Sequence, residues 1–208
     1  RAHFAERGDP YKVDQIEETI AEFGNKVIGL PCDLSTVEGC TSLAAQLAER
    51  ENKIDILVNN AGAAWGADFG TVTDAQWDRV MDLNVKGLFF LTQALHPLLK
   101  AAATFERPGK IINIASIDGL RINPWQPYAY QASKAAVIHL TRRLAAELIR
   151  DNIQVTGIAP GAFQSEMNKV ARDLAEAVGK GIPFPRVGTA EDMAGLAIFL
   201  ASRAGDYI

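Results

Sequence analysis

Four short apolar runs punctuate the chain at residues 26–33 (KVIGLPCD), 54–62 (IDILVNNAG), 110–116 (KIINIAS) and 153–161 (IQVTGIAPG), each giving way to polar residues or glycine. They are β-branched and nearly continuous instead of alternating, which predicts strands covered on both faces, as in a parallel sheet between helices. Residues 36–52, 74–100 and 128–151 repeat apolar positions at spacings of three and four, as in Leu140, Leu144 and Leu148, and predict amphipathic helices. Strand and helix in alternation imply right-handed crossovers and a doubly wound, Rossmann-type α/β sheet. Ligands of such sheets lie at the carboxyl ends of the strands. Asp33, Asn59, Asn60, Ser116, Pro160 and Gly161 all stand at those ends.

Composition narrows the function classes. With 208 residues the chain suits one domain, residues 1–208, and not two. A net charge of -4 leaves no basic surplus to neutralise a phosphate backbone or an anionic membrane, so neither is an expected partner. No apolar run approaches the ~20 residues of a membrane span, and the first residues carry no signal-peptide pattern. Cys32 and Cys40 follow no metal-ligand spacing and read as reduced thiols, which fits a cytoplasmic location. His3, His96 and His139 share no metal spacing either, and no metal is expected.

The chemistry concentrates in residues 128–134, Y-A-Y-Q-A-S-K, where Tyr130 and Lys134 are four apart and share a helix face. Such a pair is ordinarily solvated. The alternative is proton transfer: a phenol titrates near 10, a neighbouring ammonium favours phenolate, and a three-unit drop requires about 4 kcal/mol. Ser116, at the end of an apolar strand, is placed to hydrogen-bond a substrate oxygen. Asn84, in L-N-V-K-G, is disfavoured within a helix yet lies in a largely apolar segment, so its amide needs partners. Residues 59–62 read equally as a turn or as a ligand-facing loop.

Taken in order, N-N-A-G at 59–62, L-N-V at 83–85, I-A-S at 114–116, Y-Q-A-S-K at 130–134 and A-P-G at 159–161 resemble the classical short-chain dehydrogenases/reductases. The resemblance implies an oxidoreductase that interconverts a carbonyl and a secondary alcohol, moving the pro-S hydride of NADP, with NAD the alternative. It makes Tyr130 the general acid/base and has Lys134 lower its pKa and hold the nicotinamide ribose. Ser116 then orients the carbonyl, and Asn84 supports a water-linked proton relay. Asp33 and Leu34 match positions beside the adenine, and Asn60, Ala61 and Gly62 the adenine-ribose side. Pro160, Gly161, Phe163 and Ser165 match the loop that receives the nicotinamide, with Ser165 where threonine is commoner. Residues 163–188 match a lobe that closes over substrate, and Trp125 is a candidate for the substrate mouth. The long helices at 74–100 and 128–151 imply a homotetramer.

For substrate, the chain is similar to 3-oxoacyl-thioester (β-ketoacyl) reductases such as that of rhamnolipid biosynthesis. Polyol and sugar-acid dehydrogenases come second, and a non-catalytic cofactor-sensing protein on the same fold third. The family's glycine-rich T-G-x-x-x-G-x-G, whose amides accept the cofactor pyrophosphate, does not occur in these residues. Residues 1–8 read as the end of the helix that follows that loop. The first two strands and the last strand of the family are therefore expected outside residues 1–208.

Overall fold

The computed structural model describes residues 2–6, 21–122, 127–165 and 169–208. Its strands are β1 (Ala2–Glu6), β2 (Val27–Pro31), β3 (Ile56–Asn59), β4 (Gly109–Ile114) and β5 (Ile153–Ile158). The longer helices are α1 (Val37–Ala48), α2 (Asp74–Met81), α3 (Leu88–Ala102) and α4 (Tyr128–Leu148). The short α5 (Lys169–Asp173) and α6 (Ala175–Gly179) precede α7 (Ala190–Ala201). Every strand pairing is parallel, in the orders β1-β2 and β3-β4-β5. The expected strands are present but shorter than their apolar runs, because the carboxyl-terminal residues of each run leave the sheet as the turns that form the site.

Two expectations are corrected. Where a helix end was expected, with both strands before Val27–Pro31 outside the chain, residues 2–6 form a strand, Ala2–Glu6, parallel to and in register with Val27–Pro31. Coverage on both faces holds for β4, which is buried along nearly its whole length, but not for β3, where burial alternates and Ile56 and Val58 are exposed.

Helix starts follow local chemistry. Thr36 caps α1 by accepting from the Gly39 amide, and Thr73 forms a reciprocal capping box with Gln76 at the start of α2. The segment from α2 to α3 is one continuous rod interrupted by a π-helical turn, Asp82–Gly87. Such turns open the regular hydrogen-bond ladder and concentrate at functional sites. The main core joins Leu30 and Leu34 with Leu43 and Leu47 of α1, Leu57 of β3, Leu91, Leu95 and Leu99 of α3, and Ile111 and Val155 of β4 and β5. That packing fixes both strand groups around α1 and α3. Among the described residues no helix is long and apolar enough to cross a membrane.

Candidate active site

The site is assembled where β3, β4 and β5 end. Ser116 follows β4 and caps a short 3-10 turn, Ile117–Gly119, its hydroxyl accepting from the Asp118 amide at 3.1 Å. That turn is fixed from two sides. Ile117 donates to the Pro160 carbonyl at 2.9 Å, and Gly119 presses so closely on α4 that a Cβ there would come within 2.6 Å of the Lys134 carbonyl carbon. Only glycine permits this approach, which binds the serine turn to the helix carrying Tyr130 and Lys134.

Tyr130 is half-buried and bonded to Ser116. Burial pushes its phenol above the ordinary value and the Asp118 charge adds to the rise, while the Ser116 hydrogen bond opposes it. The resemblance implied the opposite direction. Burial prevails because the Lys134 ammonium, 5.6 Å from the Tyr130 ring centre, donates instead to the Ile114 carbonyl at 2.8 Å. Burial also brings the Lys134 ammonium down to about 8.

Asn84 lies in the π-helical turn and is 2% exposed, so its amide must be satisfied from within. Its Oδ1 accepts from the Ala63 amide at 2.7 Å, and its Nδ2 donates to the Ala63 carbonyl and to Ser133 Oγ, both at 2.9 Å. Ser133 in turn donates to the Tyr130 carbonyl at 2.7 Å. The side chain therefore ties the loop after β3 to the first turns of α4. Within the side chain, the second lone pair of Oδ1 is what remains for a water-linked relay.

Next to this clamp, Asn60 and Ala61 are exposed, and Gly62 passes so near that a Cβ would come 3.3 Å from Asn84 Oδ1 and 3.7 Å from Lys134 Nζ. An open strand end with a buried ammonium beside it suits the ribose half of a dinucleotide; Lys134 has three N–H donors and spends one on Ile114. Asp33 closes its own turn, accepting from the Ser35 amide and hydroxyl, and Leu34 is buried beneath it. The Leu34 carbonyl rests on Gly87, where a Cβ would come within 2.1 Å. Gly161 and Ser165 are exposed. The Phe163 ring lies against Gly188, where a Cβ would meet it at 2.4 Å, and the two residues form a parallel bridge at the base of the following lobe. Trp125 lies outside the described residues.

Several supporting bonds escape a motif reading. Asn59 is the last residue of β3, not part of a turn; its Nδ2 donates to Thr92 Oγ1 at 3.1 Å and to Asn113 Oδ1 at 2.9 Å. Asn113 Nδ2 continues to Thr141 Oγ1 at 3.0 Å, completing a buried ladder across α3, β3, β4 and α4. The signal available in the sequence was an asparagine inside the apolar run I-I-N-I. Cys32 and Cys40 are free, and burial pushes Cys32 up to about 11 and raises Cys40 as well, so neither is a reactive thiolate. Among the described residues no group of three or more His, Cys, Asp or Glu could hold a metal ion.

A family model described as enoyl-(acyl carrier protein) reductase matches residues 3–208. The chain is 45% identical over 182 residues to the rhamnolipids biosynthesis 3-oxoacyl-[acyl-carrier-protein] reductase of Pseudomonas aeruginosa, covering 86% of this chain and 71% of that protein. It is 36% identical over 199 residues to the 2-dehydro-3-deoxy-D-gluconate 5-dehydrogenase of Dickeya dadantii, covering 92% of this chain and 75% of that one. Among solved structures, the Pseudomonas aeruginosa RhlG/NADP active-site complex superposes with a TM-score of 0.91 at 40% identity, over 100% of this chain and 82% of the other.

Proposed function

The chain belongs to the short-chain dehydrogenase/reductase family of oxidoreductases, and we propose that it uses NADP to reduce the ketone of a 3-oxoacyl thioester. The observation that carries this reading is the convergence of Tyr130, Ser116 and Lys134, braced by Asn84. NADP is supported by the likeness to the RhlG/NADP complex, and the thioester by the 3-oxoacyl reductase relative.

In this reading the bound cofactor supplies the hydride. Tyr130 donates the proton that the developing alkoxide needs, and the Ser116 hydroxyl, steadied by the Asp118 amide, orients the substrate oxygen. Lys134 holds the ribose, and its positive charge offsets phenolate once the proton has left. Asn84 keeps the 60–63 loop against α4. Asp33, Leu34, Asn60, Ala61 and Gly62 line the adenosine side, and Pro160, Gly161, Phe163 and Ser165 the nicotinamide side. Residues 163–188 close over substrate from the neck that Phe163 and Gly188 make. A cytoplasmic setting is our reading, supported by two cysteines that are both free.

Met81 of α2, Val85 of the π-helical turn and Phe89 of α3 recur every four residues and, with Leu140 of α4, line a shallow surface groove whose apolar floor is flanked by Asp82 and Lys86; exposed Trp77 stands one turn before them. The groove supports assembly as a homotetramer through these helices. A monomer by light scattering at micromolar concentration refutes that assembly.

The test of function is a panel of 3-oxoacyl thioesters, polyols and sugar acids with NADPH and NADH, followed by nicotinamide absorbance. Tyr130→Phe is expected to fold and bind NADPH normally while losing at least ~10²-fold in turnover, the low end for a lost general acid. Near-normal turnover removes Tyr130 from its role. Faster turnover of the sugar acid, which the 36% identical Dickeya relative favours, overturns the thioester assignment.

A further inference from the structure

Gly87 has helical backbone angles, φ -59° and ψ -46°, so its conformation does not call for glycine. What calls for glycine is the Leu34 carbonyl: a Cβ at residue 87 would come 2.1 Å from its oxygen and 3.2 Å from its carbon. Both are backbone atoms and cannot swing aside. Cys40 of α1 closes the same junction, 1% exposed, its thiol donating weakly to the Leu34 and Gly87 carbonyls at 3.6 Å each. The turn that carries Leu34 is held as firmly from its other side. The Thr36 hydroxyl donates to the Asp33 carbonyl at 3.1 Å, and Gly39 approaches so closely that a Cβ would come 1.9 Å from the same oxygen. Residues 33–36 are therefore a rigid piece of backbone beyond β2, pressed onto the last residue of the π-helical turn. Earlier in that turn stands Asn84, which holds Ala63 and, through Ser133, the Tyr130 carbonyl. Backbone meets backbone at the junction, and close packing transmits strain instead of absorbing it.

We propose that Gly87 is a positioning residue: through its contact with Leu34, the adenosine half of NADP, bound at residues 33–36, sets where the π-helical turn holds Asn84. The opened hydrogen-bond ladder makes that turn the pliable part of the α2–α3 rod, and an occupied 33–36 turn fixes its end. Binding energy from the remote half of the cofactor is thereby used at the reacting centre. The inference rests on placing the adenosine half beside Asp33 and Leu34; it is independent of the thioester.

The experiment supplies the cofactor as two halves. Adenosine 2′,5′-bisphosphate alone is expected to slow hydrogen exchange of the Ala63 amide, the proton that Asn84 holds, in wild type but not in Gly87→Ala, where the methyl group drives Leu34 and the π-helical turn apart. With reduced nicotinamide mononucleotide as hydride donor, and the ketone that the substrate panel turns over fastest, adding the bisphosphate raises kcat/KM in wild type about tenfold, an ordinary size for coupling between sites. In Gly87→Ala that factor falls below about twofold. The factor compares one protein with itself, so general damage to the variant cancels. Circular dichroism and calorimetric titration establish that the variant folds and binds the bisphosphate. If it does neither or only one, Cys40→Ala decides, since it removes the thiol between the two carbonyls and adds no bulk; it is expected to lower the factor at least about threefold. Equal protection of Ala63 and an equal factor in wild type and the deciding variant overturn the inference. So does a wild type that binds the bisphosphate with no change in either measurement. If wild type does not bind the bisphosphate, the placement of the adenosine half fails and the inference with it. A sugar acid emerging as the fastest substrate overturns the thioester reading and leaves Gly87 as assigned.

Discussion

Replacing Asn84 by Asp changes almost no volume, yet the hydrogen-bond geometry makes it among the most damaging substitutions expected here. The amide accepts once, from the Ala63 N–H, and donates twice, to the Ala63 carbonyl and to Ser133. A carboxylate keeps the first bond and loses both others. Ser133 cannot compensate by donating, because its hydrogen is committed to the Tyr130 carbonyl. Two buried acceptors then face a buried anion. Two lost bonds at about 1 kcal/mol each and a buried charge at about 3–5 kcal/mol set an upper bound of roughly 5–7 kcal/mol, which the Lys134 ammonium across Gly62 reduces but which remains a large part of the stability of many domains. Burial raises the native pKa of the new carboxyl above its unfolded value near 3.9, so the folded state binds the proton more tightly and the variant loses stability as pH rises. Protonated, the acid regains one donor. Urea unfolding of the cofactor-free protein, followed by circular dichroism at pH 5.5 and pH 8, reads this against Asn84→Ala, which carries no charge. Asn84→Asp should be less stable than Asn84→Ala at pH 8, with the gap closing at pH 5.5. A variant within about 1 kcal/mol of wild type at pH 8, or a gap that ignores pH, refutes the assigned bonding.

Lys134 supplies the opposite pH signature. Its folded pKa, near 8, is below the unfolded value, so the unfolded chain holds more protons between about 8 and 10.4 and stability rises with pH across that window. Urea titrations at pH 8 and 9.5 should show this rise in wild type and its loss in Lys134→Met; parallel slopes for the two proteins would refute it. Lys134→Met should also weaken NADPH binding, measured by nucleotide fluorescence. At the amino end of the central strand β4, away from the site, Lys110 is 5% exposed and bonds Gln154 and, at 2.6 Å, Asp206. Asp206→Ala leaves a buried ammonium with one side-chain partner fewer and should cost about 2–3 kcal/mol, below a fully buried pair because Asp206 is partly exposed. Thermal unfolding checks this: Asp206→Ala combined with Lys110→Met should be less harmful than Asp206→Ala alone.

The chain's local patterns made the fold legible where packing is repetitive. Apolar runs bounded by glycine and polar residues located β2 to β5, and three-four periodicity located the long helices to within a few residues. Ala2–Glu6 escaped because A-H-F-A-E alternates only briefly and contains no β-branched residue, so its strand conformation follows from pairing with β2 and not from propensity. The π-helical turn escaped for a related reason: the apolar pattern runs unbroken through Leu83, Val85 and Leu88, and periodicity cannot distinguish one inserted residue per turn.

The site is different in kind. Its motif residues were legible in order and spacing, but what holds them was not, because it depends on which element lies opposite. Asn84, Thr92, Asn113, Lys110 and Thr141 each break the apolar pattern of their own segment, and each is nearly or fully buried and bonded to another element. A polar residue that local preference disfavours survives in such a position only if a partner across the fold offsets its desolvation. Those exceptions are therefore where the sequence encodes tertiary contacts, and here they join β3, β4, α3 and α4, the elements from which the site is built.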